Sequence, residues 1–479
     1  MSRNTPPVLL WYRRDLRLDD HAALNAAHAS GQPILPVFIL DDETPGEWLP
    51  GGASRWWLHH SLQALDSALQ ERGGHLILRR GNAIDEIPRL IKETGAAGVY
   101  CSRHYESFER NLETQLATKL ASQGAFLHSY PGYLLFDPCQ IKSKAKTPFN
   151  IFTPFYRACL QAQSPAKPVR APNDLTFSSA VSEQIDDWGL IPQSPNWASG
   201  FSRGWQPGEK GAKKRITEFL AHSVSSYAHC RDRPGVMGTS RLSPHLHFGE
   251  ISPATVWHAG LSDGPGESAF LREIGWREFA QHLLFHRPTL PRAPLREEFS
   301  DFPWIDNSRL RRAWENGQTG IPLVDAGMRE LWSTGWMHNR IRMITASALV
   351  KYMMVPWVLG ERWFWDTLVD ANLASNAAGW QWVAGCGTDA APYFRIFNPV
   401  IQGQKFDDQG DYIRRWCPEL QHLPDRWIHA PWTAPTLVLA EAGIRLGAHY
   451  PKPLVEPKAG RVQALSAWKQ FRHSASREQ

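Results

Sequence analysis

Three stretches of this chain carry side chains that would make a poor core and a good pocket. In "FLREIGWREFAQHLLFHR", Glu273, Trp276, Arg277 and Ala280 fall at i, i+3, i+4 and i+7. A helix there puts a carboxylate, an indole and a guanidinium on one face. Buried charge is costly unless paired. That face is therefore either a solvated surface held by a Glu273–Arg277 pair, or a pocket wall with Trp276 placed to stack on something flat. In "GMRELWSTGWMHNRIRMITASALVKYMM", Asn339, Arg342 and Met343 share a face at i, i+3 and i+4. Amide, guanidinium and thioether again describe a cavity lining. Third, "DANLASNAAGWQW" sets Trp380 and Trp382 two residues apart, behind Asn376 and beside Gly379. On a helix these indoles point to different faces, on a strand they share one, and Ala378 and Gly379 leave the backbone open to close approach.

"GTSRLSPHLHFGEISP" offers Thr239, Ser240 and Ser243 ahead of a helical run. Hydroxyls and free N–H groups at a helix start can cradle phosphate, although any capped helix has the same letters. "GCGTDA" at Gly385 copies part of a dinucleotide fingerprint without the strand and helix that should flank it. The paired histidines of "HLHFGE" and "LHHSL" lack the spacing of a metal site. Without a metal site, Walker loop or Ser–His–Asp signature, the chemistry is expected to belong to an organic cofactor. The 22 tryptophans support this. Buried indole N–H groups need partners, so aliphatic residues fill a core more easily.

The elements that must position these residues fall into two kinds. "PVLLWY", "PILPVFIL", "GHLILRR" and "AAGVYCS" read as buried strands. Between them, "DDHAALNAAHAS", "SRWWLHHSLQALDSALQERG" and "AIDEIPRLIKETG" have helical periodicity, with Asp20 and Ser54 as expected caps. This alternation predicts an α/β domain over residues 1–130, a doubly wound parallel sheet. Residues 131–205, rich in Pro, Ser, Gln and Lys, read as a connector. Residues 206–479 read as an all-helical domain.

At 479 residues, with 42% hydrophobic and 21% charged residues, the chain is globular and large enough for two domains. The start lacks a signal-peptide pattern, and no apolar run is long enough to span a membrane. The six scattered cysteines read as free thiols of a reducing cytoplasm. A net charge of +5 permits a nucleic-acid partner without demanding one.

Together, "GTSRLSPHLHFGEISP", "WREFAQHLLFHRP", "WMHNRIRMITASALVK" and "NAAGWQWVAGCGTDAAPYFRIFNP" resemble the flavin domain of the photolyase/cryptochrome family, and "LLWYRRDLRLDDHAAL" resembles its opening. The resemblance covers nearly the whole chain. It implies an antenna domain at 1–130, a connector, and an FAD-binding domain at 206–479. Residue by residue, it places Tyr227, Thr239, Ser240, Arg241, Leu242 and Ser243 about the phosphates and adenine of FAD. Arg277, Asn339, Arg342, Asp370, Asn372 and Asn376 would surround the isoalloxazine. Glu273, Trp276, Asn339, Arg340, Met343 and Trp382 match the wall for a flipped-out dimer, and Arg231 matches a DNA phosphate contact. Trp380, Trp357 and Trp304 match a tryptophan chain that carries electrons to the flavin. The family usually has Asp-x-Asp where this chain reads Asp370-Ala371-Asn372, a lost negative charge expected to raise the flavin's potential.

Within the family, the residues favour repair of cyclobutane pyrimidine dimers. Asn376 stands where plant cryptochromes usually have an acid that can protonate the flavin. Asn339 and Met343 stand where (6-4) enzymes tend to carry histidines, and Trp382 where DASH members usually have Tyr. The resemblance thus implies FAD held fully reduced, light-driven electron transfer to a flipped-out dimer, and Glu273 steadying the dimer. A cryptochrome-like photoreceptor without repair activity is the alternative. The pattern looks like the class III branch, otherwise class I. An antenna is expected to be 5,10-methenyltetrahydrofolate. The usual folate hook is half missing at Phe108-Glu109, while Trp48, Trp56 and Trp57 either sandwich a pterin or pack the core. The expected partner is dimer-containing DNA met by a monomer, with no membrane.

Overall fold

The computed structural model describes residues 5–162, 164–261, 265–389 and 394–475. Residues 390–393, part of the quoted "GCGTDAAPYFRIFNP" stretch, lie outside them.

Five strands form one parallel sheet: β1 (Val8–Tyr12), β2 (Ile34–Leu40), β3 (Ile77–Arg80), β4 (Gly98–Ser102) and β5 (Phe126–Tyr130). Their order is β3-β2-β1-β4-β5, with Leu9 of β1 level with Leu35 on one side and Val99 on the other. Every residue of β1, β2 and β4 is buried. Covered on both faces, such strands read as unbroken apolar runs. β5, "FLHSY", is an edge strand with no fully buried residue. Its polar letters keep it out of the apolar runs seen in the sequence.

Helices Ala22–Ala29, Gly52–Gln70, Ala83–Thr94 and Ser107–Ala121 alternate with the strands. Ile87, Leu90, Leu116 and Leu120 pack with Leu9, Val37 and Val99 in one apolar cluster. Two caps differ from expectation. His21, not Asp20, caps the first helix, its Nδ1 accepting the Leu24 N–H at 3.1 Å. Asp20 instead takes a left-handed φ of 50° and accepts the Val169 N–H at 3.2 Å. Gly51 precedes the second helix, and Ser54 lies buried inside it.

By contacts, Met1–Ser225 and Ser240–Pro288 make one compact unit, and Ser226–Thr239 with Thr289–Gln479 make the other. The first unit therefore holds, besides the sheet, helices Phe152–Gln161, Glu209–His222 and Pro265–His286. The second is helical. Trp314, Leu331, Ile341, Ile344, Leu349, Phe364 and Trp380 belong to its core. Helix Asn339–Ser347 runs into a π-helical turn, Ala348–Tyr352. Such turns recur at functional sites. Here the turn buries Lys351, whose Nζ donates to Ala384 O at 2.6 Å, at the end of helix Leu373–Ala384. Burial holds that amine well below the usual lysine range. No helix among the described residues is long and apolar enough to cross a membrane.

Candidate functional site

In the first unit, helix Pro265–His286 carries the Glu273 face. Trp276 lies flat on Phe152, with ring centroids 3.7 Å apart and planes 7° from parallel. Phe152 stacks in turn on Tyr156 at 5.4 Å and 14°. Gly275 makes this possible, since a Cβ there would stand 2.5 Å from the Tyr156 ring. One face of Trp276 is thus backed by aromatic rings. Arg277 pairs with Glu278 at 2.7 Å and donates through Nη2 to Tyr133 O at 2.8 Å. Glu278 also accepts the N–H groups of Leu135 and Phe136. Burial pushes its carboxyl up and Arg277 pulls it back. Arg277 is therefore anchored to its own unit rather than left on a solvated surface.

The "TSRLS" letters divide between the units: Thr239 belongs to the second, and Ser240, Arg241, Leu242 and Ser243 to the first. Ser240 Oγ accepts the Leu242 N–H at 3.4 Å, and Ser243 opens a five-residue helix, Ser243–His247. Arg241 has a left-handed φ of 51°, and its guanidinium lies 4.9 Å over the Trp205 ring.

In the second unit, helices Asn339–Ser347 and Leu373–Ala384 pack together and gather most of the remaining candidates. Arg342 donates through Nη2 to Asp370 Oδ2 at 2.8 Å and through Nε to Met337 O at 2.8 Å. Asn339 approaches Met343 Sδ at 3.9 Å, one turn on. Asn372 caps helix Leu373–Ala384, its Oδ1 accepting the Ser375 N–H at 3.0 Å. Asn376 spends its Nδ2 on Glu361, 3.0 Å from the main-chain oxygen and 3.1 Å from Oε1. Tyr227 is buried, with Arg231 5.5 Å over its ring. Arg340 pairs with Asp232 at 2.8 Å and lies 4.6 Å over Phe406.

The helix separates the two indoles as its period requires. Trp380 is buried against Phe364 at 5.0 Å and Trp314 at 6.0 Å. It fits because residue 360 is glycine, where a Cβ would stand 2.2 Å from the indole. Trp382 is half-buried, its Nε1 donating to Asp389 O at 3.1 Å. Trp357 lies in the same core, and Trp304 packs at its edge, 4.4 Å from Phe302. Gly360, Glu361, Trp314 and Phe152 were not singled out by the sequence. Each acts through a partner distant in the chain, and only the small residue at 360 beside an aromatic helix hints at close approach.

The unit also tests whether a flavin fits. Asp370 Oδ1 and Trp380 Nε1 are buried without a hydrogen-bond partner among the described residues. Leftover buried acceptors and donors need an explanation, and a large heteroaromatic group rich in both supplies one.

The antenna candidates need correcting. Trp57 is a core residue, fully buried, with Nε1 donating to Glu250 at 2.9 Å and Phe248 and Trp205 packed around it. It cannot be one side of an open sandwich. Trp57→Ala should cost about 3–5 kcal/mol of stability, read from the urea unfolding midpoint, with little effect on bound FAD below that midpoint. Trp56 and Trp48 are also buried, Trp56 meeting Phe201 edge-on at 5.2 Å. Glu109 is no free hook: Arg13 holds it at 2.8 Å and Arg14 at 3.4 Å. Ligand atoms of His104, Glu106 and Glu109 lie within 4.8 Å of one another. Arg13 and Arg14 already supply the positive charge there.

Residues 270–470 match the family model described as the FAD binding domain of DNA photolyase, and residues 8–173 the one described as DNA photolyase. The chain is 47% identical over 475 residues to the deoxyribodipyrimidine photo-lyase of Agrobacterium fabrum, covering 98% of each. It is 39% identical over 477 residues to Cryptochrome-1 of Arabidopsis thaliana, covering 96% of this chain and 70% of the plant protein. Among solved structures, a class III photolyase from Agrobacterium tumefaciens superposes with a TM-score of 0.95 at 45% identity over 99% of both chains. A Synechocystis cryptochrome gives 0.88 at 29% identity, over 97% of this chain and 100% of that one. With both of its halves matched and its full length shared, the chain belongs to the photolyase/cryptochrome family.

Proposed function

We propose that this protein is a DNA photolyase that repairs cyclobutane pyrimidine dimers in light. Likeness over 98% of both chains to a deoxyribodipyrimidine photo-lyase carries this reading. Reduced FAD, when bound, supplies the light-driven electron that opens the dimer. The chain's own residues bind and position. Tyr227, Thr239, Ser240, Arg241, Leu242 and Ser243 are assigned to the phosphate and adenine side. Arg277, Asn339, Arg342, Asp370, Asn372 and Asn376 are assigned to the flavin ring. Glu273, Trp276, Asn339, Arg340, Met343 and Trp382 are assigned to a flipped-out dimer. Flipping a dimer costs less than flipping a normal pair, because it is already poorly stacked. Arg231 adds a phosphate contact, making affinity salt-dependent. Trp380, Trp357 and Trp304 carry electrons inward.

Asn376 suits an electron donor that must keep its proton where it is. With Nδ2 held by Glu361, its Oδ1 is the atom left to accept from a ring N–H. Asn376→Asp would set two carboxyls side by side, and like charges keep one protonated. The variant would then offer a proton, and the bound flavin's visible spectrum after illumination should change. An unchanged spectrum would place Asn376 away from the flavin.

The functional division at 130 and 205 belongs to the same reading, as does action in a reducing cytoplasm, which six free cysteines support. The antenna is assigned to the folate class, 5,10-methenyltetrahydrofolate, with Trp48 and Trp56 as its remaining aromatic candidates. The likeness to a plant cryptochrome favours a second reading, a photoreceptor without repair. One experiment separates the two. Reduced, FAD-loaded protein mixed with dimer-containing oligonucleotide should restore intact pyrimidines in light and not in darkness. No restoration in light, with FAD bound and reduced, would favour the photoreceptor.

A further inference from the structure

The stretch 202–206 and one face of helix Glu209–His222 enclose a groove of about 210 Å³ in the first unit. Its lining includes Arg203, Trp205, Lys214 and Arg215. Trp205 is buried, and two guanidinium groups lie on its ring, Arg215 at 5.1 Å and Arg241 at 4.9 Å. Arg215 has no ion pair among the described residues, and its side chain makes one hydrogen bond, Nη2 to Gly204 O at 3.1 Å. Glu218, the acid in the lining, stands 4.0 Å from Lys214 and acts on Arg215 through its charge without a direct contact. Burial and the neighbouring Arg241 charge both pull Arg215 down.

The floor of this groove is rigid. A Cβ on Gly211 would stand 1.8 Å from Gln206 O, so the helix and the preceding stretch are in backbone contact. Arg241 is held in a left-handed conformation that non-glycine residues rarely adopt. Two cations brought onto one indole, with a third and a fourth at the rim, outnumber Glu218, the one acid in the lining. Guanidinium forks match phosphate oxygens in geometry as well as charge.

We propose that this groove binds a small phosphate-bearing anion, held by Arg215 with Arg203 and Lys214. The site is distinct from the residues assigned to the dimer, and FAD-saturated protein keeps the flavin's own phosphate site filled during its test. Titration calorimetry of the full chain, loaded with FAD, would use inorganic pyrophosphate, ATP and succinate as separate probes. Pyrophosphate should bind at one site per chain, and Arg215→Met should weaken it about tenfold, roughly the worth of one charge-assisted hydrogen bond. Arg203→Ala, at an exposed position, should weaken it in the same direction. Flavin content and repair of dimers should be unchanged in both. Tighter binding of ATP would identify a nucleotide ligand, and equal binding a phosphate group alone. Absence of heat with both phosphates, succinate binding as tightly as pyrophosphate, or undiminished affinity in both variants would overturn the proposal.

Discussion

Trp276→Ala should weaken binding to dimer-containing DNA by about 1–3 kcal/mol, roughly 5- to 150-fold, and leave binding to undamaged DNA almost unchanged. Undamaged duplex is held through its phosphates, which an indole does not touch. On the proposed assignment, the flipped dimer is held by its rings. Trp276 is suited to this because Phe152 lies against one of its faces. A ring already fixed by packing gives up little freedom when a ligand stacks on it. Phe152→Leu should reproduce part of the loss, since it removes the backing while leaving Trp276 in place, whereas Phe152→Tyr should restore it. Filter binding with matched damaged and undamaged oligonucleotides gives the ratio. An equal loss on both DNAs would make Trp276 a core residue only.

The second large effect concerns the tryptophan chain. Trp380→Phe should stop most light-driven reduction of the bound flavin, while repair by flavin already reduced with dithionite persists. Electron hopping falls steeply with distance, so the member nearest the acceptor is the hardest to bypass. Trp380 is enclosed by Phe364, Trp314 and the Gly360 backbone. Trp304→Phe should do less. Trp332 and Trp363 stack at 6.1 Å and 11°, with Trp332 about half exposed, and this pair is the second surface entry we propose in the same unit. Following flavin absorbance under blue light with an external donor distinguishes these outcomes. Full photoreduction in Trp380→Phe would refute convergence on that residue, and complete loss in Trp304→Phe would show that the second entry carries nothing.

What the sequence made legible follows from the range of the forces involved. Periodicity is local, so it exposed four of the strands and the helix faces that carry Glu273 and Asn339. β5 escaped because an edge strand need not be apolar. Partners distant in the chain left no local trace. Trp57 reads as a candidate ring clamp until Glu250, 193 residues away, is found holding its N–H. Glu109 reads as a hook until Arg13, 96 residues back, is found on it. Trp276 gains its backing from Phe152, on another helix. Caps failed for a smaller reason: Asp20 and Ser54 have the right side chains, but His21 and Gly51 hold the right positions.

Gly360 has a further meaning for how this chain can change over time. A methyl group at that position would stand 2.2 Å from the Trp380 indole, so alanine there means a displaced ring. Gly360 itself is no partner in the hydrogen bonds that Asp370 and Asn376 make with Arg342 and Glu361. A lineage supplied with chemical reductant could therefore accept alanine at 360 and still mend its genome in daylight. On the proposed role of Trp380, one that must recharge its enzyme by light could not. Whether position 360 drifts would thus record which of the two economies of electrons a cell has lived by.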